Sequence, residues 1–178
     1  MFPLRFVLNP ASFVCLTFCL LSSFAQAGAN LEAIARENKI EPVLLYAIAL
    51  SESAKVQRGR VSPWPWTIRS DEYGPKLFDT RQEAEAHLRH LLAEGVENID
   101  VGMMQISLKW HGDKVDDPLK LIDPSINVTV GAGILREALK SCADPVLAVG
   151  RYHSWNPEKA YSYGYRVWSV YYRLLPYF

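Results

Sequence analysis

One carboxyl stands apart in this sequence. From Pro42 to Ser51 no side chain carries a charge, and the next carboxylate after Glu52 is Asp71. A glutamate at the C-terminal end of an apolar helix is driven toward its neutral form by desolvation and by the negative end of the helix dipole. A carboxyl held protonated near neutral pH serves as a general acid. An exposed Glu fraying off a helix end is the competing reading of the same spacing.

Three further segments carry polar groups in apolar surroundings. In Asp100-Val101-Gly102-Met103-Met104-Gln105-Ile106 the glycine permits close backbone approach to a ligand, and Gln105 offers both a donor and an acceptor. The two methionines of that stretch also fit a core stripe. Arg151-Tyr152-His153-Ser154-Trp155 follows the apolar stretch Val146–Val149. Tyr161-Ser162-Tyr163-Gly164-Tyr165 is a dense aromatic patch with polar tips. Such faces suit sugar rings, although an aromatic-rich helix also fills a core.

In this order the four segments resemble the lysozyme-like lytic transglycosylases of the soluble-transglycosylase type. That family carries a helix ending in Glu-Ser, then Gly-x-Met-Gln-Ile, then Ala-Tyr-Asn-x-Gly, then a Tyr four residues before a Val. This chain has Glu52-Ser53, Gly102-Met103-Met104-Gln105-Ile106, Tyr152, and Tyr163 with Val167. The resemblance runs from about Leu31 to Leu175. The third motif departs from the pattern: Arg151 and His153 stand where Ala and Asn are usual, and Trp155 replaces the Gly. The Asp-Val-Gly form of the second motif, with the tryptophan-rich hairpin around Trp64 and Trp66, is similar to small members associated with conjugation and secretion machineries.

The resemblance implies an α+β, mostly α, lysozyme-like fold with a small β-hairpin. It also implies cleavage of the β-1,4 bond between N-acetylmuramic acid and N-acetylglucosamine in peptidoglycan, leaving a 1,6-anhydro end. Glu52 would act first as acid and then as base. Ser53 and Gln105 would orient it and the substrate's N-acetyl group, and Tyr152 and Tyr163 would position Glu52 or line the sugar subsites. Met104 and His153 complete the expected substrate contacts. No metal or organic cofactor is required. The expected partners are glycan strands and components of a type IV secretion or conjugative pilus apparatus, with no nucleic acid and no stable membrane span. A hydrolytic muramidase is the near alternative. It needs a second carboxylate, for which Asp100 is the candidate. A non-catalytic peptidoglycan-docking protein is the alternative from another class.

These groups have to be positioned by helices. Asn30 is predicted to cap a helix over Leu31–Asn38, and Pro42 to open a second that runs to about Ser53. Pro63-Trp64-Pro65 interrupts regular structure, and Trp66–Arg69 with Lys76–Phe78 reads as a hairpin around Ser70–Pro75. Asp79 or Thr80 then caps a helix ending near Gly95. Asp123-Pro124, Asp144-Pro145 and Pro157 open three more.

Length and composition set the frame. With 178 residues, 49% of them hydrophobic, the chain is long enough for one core and too apolar for disorder. Equal numbers of Lys+Arg and Asp+Glu, 19 each, disfavour a basic nucleic-acid binder. Residues 1–27 read as an export signal: Arg5, an apolar run from Ala11 to Leu21, then Ala25-Gln26-Ala27. Cleavage after Ala27 leaves one domain, residues 28–178, with Cys142 as its only thiol, which suits a bacterial periplasm. His87 and His90 share a helical face at a spacing that can hold a metal. No other His or Cys lies near them in sequence, so they read as a solvated face.

Overall fold

The computed structural model describes residues 30–178. The expected export segment, residues 1–27, lies outside the described residues. A first helix, α1, covers residues 30–37. Asn30, expected as its cap, is already helical, and its side-chain amide instead donates to Ser125 Oγ (2.8 Å).

The central element is α2, Pro42–Ser53. Proline suits its first turn, where an amide hydrogen would have no helical partner. Val43, Leu44, Leu45, Ala47, Ile48 and Ala49 are all buried, so the helix is enclosed on nearly every side. That enclosure is why it tolerates no charge before Glu52. The helix passes at Ala54 straight into strand β1 (Ala54–Gln57), which pairs antiparallel with β2 (Arg60–Pro63). Arg58 and Gly59, both at positive φ, make the two-residue turn between them. This hairpin was not expected from the sequence.

A second sheet has the strand order β4-β3-β5-β6, built from β3 (Thr67–Ser70), β4 (Gly74–Leu77), β5 (Ile99–Val101) and β6 (Ile106–Ser107), all antiparallel. Its β3–β4 pair is the predicted hairpin with a tighter turn than expected. The flanking strands β5 and β6 enclose the Gly102–Gln105 motif. Between these strand pairs lies α3 (Arg81–Ala93), closed by a capping box between Thr80 and Glu83.

The three longer remaining helices begin at Pro124, Pro145 and Pro157, as predicted. After the short α4 (Leu108–His111), α5 (Pro124–Leu139) is capped by Asp123, α6 (Pro145–Gly150) by Asp144, and α7 (Pro157–Leu174) by Asn156. The core runs from α2 through Leu91, Ile99 and Ile106 to Leu135 and Val167. Helices α6 and α7 meet at two glycines. A Cβ on Gly150 would run into the Ala160 carbonyl, and one on Gly164 into the Val146 carbonyl. The whole is α+β and mostly helical. Among the described residues no helix is long and apolar enough to cross a membrane.

Candidate active site

Glu52 lies on the last turn of α2, at a cleft of about 1040 Å³ between the helical body and the sheet. Its Oε1 accepts a hydrogen bond from the Tyr163 hydroxyl (2.5 Å), delivered by the buried face of α7. Burial pushes the Glu52 carboxyl up to about 7. The Tyr163 bond and the Arg166 and Arg69 charges pull it down, while the charge of Asp100 adds to the rise. Tyr163 is itself pushed well above the ordinary phenol range, first by burial and then by Glu52, so its hydroxyl remains a donor.

The second motif forms the floor. Gly102 holds φ +81°, and a Cβ there would strike the Asn127 side chain, so both conformation and space demand glycine. Gln105 also sits at positive φ (45°), unusual for a residue with a side chain. Its carboxamide nitrogen donates to the Gly102 carbonyl (2.8 Å) and the Thr67 carbonyl (3.2 Å), while Oε1 takes no bond among the described residues. Tyr152, nearly parallel to Tyr163 with ring centres 6.4 Å apart, donates its hydroxyl to the Met104 carbonyl (2.7 Å).

Of two further expected substrate contacts, Met104 sits below the cleft, and Ser53 lines it with its hydroxyl already engaged. Met104 is fully buried, packed over Gly131 beneath the floor, because its side chain fills the core that Gly131 leaves open. The Ser53 hydroxyl is taken up by backbone: it donates to the Met103 carbonyl (2.9 Å) or the Ala49 carbonyl (3.0 Å) and accepts from Trp64 N–H (3.1 Å). Ser53 therefore links α2, the hairpin exit and the motif loop. His153 does reach the cleft. Its imidazole lies flat on the Tyr163 ring (4.9 Å, 6°). Burial, then Arg166, Arg69 and Lys159, hold its pKa below the usual 6.5. Of the outlying histidines, His87 packs on Phe78 and His90 pairs with Glu94 (3.4 Å).

The opposite wall carries Asp100, cross-strand from Arg69 and paired with it (3.4 Å). Burial raises its pKa and Arg69 opposes that rise. Sequence reasoning passed over Asn127, which is fully buried in α5. It accepts from Met104 N–H (2.8 Å) and donates to the Val101 (2.8 Å) and Leu121 (3.0 Å) carbonyls. A satisfied buried amide of this kind fixes one loop conformation, and it pins the motif from below. No sequence signal separates it from an exposed helical Asn. Trp110 was also overlooked, and Trp155, noted in the sequence where the family has Gly, joins it in the cleft wall.

The model of the family described as "Transglycosylase SLT domain" matches residues 29–167, a span that holds Glu52, Gln105, Tyr152 and Tyr163. No curated protein and no solved structure gives a significant match.

Proposed function

We propose a mechanism and a setting for a chain that belongs to the transglycosylase SLT domain family. It is a lytic transglycosylase, a lyase that acts on peptidoglycan. The proposed bond is the β-1,4 link from N-acetylmuramic acid to N-acetylglucosamine, and the proposed product end is 1,6-anhydro.

The carrying observation is Glu52, a carboxyl raised to about 7 at the cleft with one hydrogen-bond donor on it. In its acid form Glu52 gives its proton to the glycosidic oxygen as the bond to the anomeric carbon breaks. The positive charge that develops is stabilised by the substrate's own N-acetyl oxygen. Glu52, now an anion held by the Tyr163 hydroxyl, takes the proton of the C6 hydroxyl, whose oxygen bonds to the anomeric carbon. The acid is regenerated and no water is consumed. A tethered nucleophile also avoids the entropic cost of recruiting one from solution. Gln105 Oε1 is the acceptor suited to the acetamide N–H, and Tyr152 buttresses both Tyr163 and the motif loop. Ser53 acts through position and not through contact.

The setting is the periplasm, after removal of residues 1–27, where the enzyme opens the wall locally for a secretion or conjugation apparatus. The signal-like N-terminus and the Asp100-Val101-Gly102 form of the motif support this. Mass spectrometry of digested sacculi is the test. Anhydro ends from the wild type and none from a folded Glu52→Gln protein are expected. Hydrated reducing ends, abolished by Asp100→Asn, would replace this reading with a muramidase that uses the second carboxylate of the cleft.

A further inference from the structure

The tryptophans divide into two groups. Trp64 is buried and donates Nε1–H to the Phe78 carbonyl (2.6 Å), Trp66 packs edge-on against it (5.5 Å), and Trp168 packs against Tyr171 (4.9 Å). Trp110 and Trp155 are 73% and 67% exposed, and both line the cleft that holds Glu52. Burying a large apolar side chain is worth about 1.5–3 kcal/mol. Two indoles left in water on one concave surface offer apolar area to a ligand in the cleft.

Trp155 is held ready. The Arg151 guanidinium lies 4.9 Å from its ring centre, and Arg151 is itself fixed by Nη1 bonds to the Ser141 carbonyl (3.0 Å) and hydroxyl (2.8 Å). The indole is backed by that anchored cation, and Trp155 lines the cleft. Trp110 stands on α4 directly after β6, with Lys109 Nζ 5.9 Å from its ring centre. A flat apolar face with one N–H donor complements a pyranose, which presents C–H groups on its face and hydroxyls at its edge. The tyrosines expected to do this are otherwise engaged. Tyr163 is buried on Glu52, and Tyr161 donates to Asp144 (2.8 Å) and stacks on Tyr165.

We propose that Trp110 and Trp155 are stacking platforms for two pyranose rings outside the Glu52 centre, so that the cleft grips an extended β-1,4 amino-sugar strand. Trp155 occupies the position where the family pattern has Gly, so this platform belongs to this chain. The proposal rests on the glycan-cleaving reading.

The test is calorimetric titration of the full-length Glu52→Gln protein, which prevents turnover, with the β-1,4-linked hexamer of N-acetylglucosamine. Trp110→Ala and Trp155→Ala are each expected to weaken the hexamer roughly three- to tenfold. Trp155→Phe should recover most of the loss, and the corresponding disaccharide should be affected less. In the active enzyme, the sacculus concentration for half-maximal rate should rise by a similar factor, with a smaller change at saturation. Unchanged hexamer affinity in both alanine variants overturns the proposal. So does a fall in the saturating rate at constant half-saturation, or no hexamer binding by the Glu52→Gln protein. Anhydro ends from the wild type together with tryptophan-independent binding would remove the platforms alone. Tryptophan-dependent binding without anhydro ends would remove the transglycosylase mechanism and leave the platforms standing.

Discussion

Two carboxyls face one cleft from different elements, and their surroundings give them different chemistry. Glu52 ends an apolar helix and is held by a neutral phenol, whereas Asp100 lies on a strand with a guanidinium across the ladder. Burial raises both, but only Asp100 has an ion-pair partner at hydrogen-bonding distance. The helical side thus stores a proton and the sheet side stores a charge. Surroundings that differ in this way suit Glu52 to acid–base work and Asp100, beside Arg69, to shaping the field around it.

The sharpest way to break this contrast is Glu52→Gln, which should lower wall-cleaving activity by about 10²–10⁴-fold. The same substitution should stabilise the fold. With its pKa raised from 4.5 to about 7, Glu52 binds its proton more tightly in the folded state, so stability is lost as pH rises through that window. At pH 8 the glutamine variant should therefore be more stable by up to about 3 kcal/mol, with the gain fading toward pH 4. Equal denaturation midpoints at pH 8 would mean that Glu52 bears no desolvation cost.

Next comes Tyr163→Phe. It removes a hydrogen bond that lowers the Glu52 pKa, so the alkaline limb of the pH–rate profile should move upward. Activity at the optimum should fall on the order of tenfold, the scale of one hydrogen bond to a charged group. An unmoved limb would detach Tyr163 from the acid.

Asp100→Asn should keep activity within about threefold, because a tethered hydroxyl needs no second carboxylate to activate water. Its pH profile should shift slightly downward, since the Asp100 charge raises Glu52. Complete loss in a folded variant would put the two carboxyls in equal partnership. The smallest effect belongs to His153→Asn. Because the surroundings hold His153 below 6.5, the variant should match the wild type at pH 7 and differ only on the acid side. Profiles superimposed down to about pH 5 would leave the imidazole without influence on the reaction.

What the sequence made legible follows from how local each signal is. The helix starts at Asp123 and Asp144 are written in a cap followed by proline, and each side chain bonds the first turn as expected; at the third, only Pro157 was read, and Asn156 supplies the cap. The β1–β2 hairpin escaped because Val56 and Val61, partners across it, are both exposed, so no buried face imprints an alternation on the sequence. Around the site, Glu52 was visible because its isolation from charge is a linear property. Asn127 and Met104 owe their roles to neighbours 23 and 27 positions away, the Met104 amide and Gly131, and no window of sequence contains that information.

The glycine crossing of α6 and α7 has a thermal consequence. Where helices meet through side chains, warming loosens the joint by letting rotamers exchange, and an aligned catalytic group drifts before the domain melts. At Gly150 and Gly164 backbone rests on backbone, so these two contacts of the joint that seats Tyr163 against Glu52 do not depend on a side-chain rotamer. Heat should leave the pairing sharp until the whole core gives way. The activity of this enzyme should therefore end abruptly at its melting temperature, whereas Gly164→Ala should lose activity well below its own.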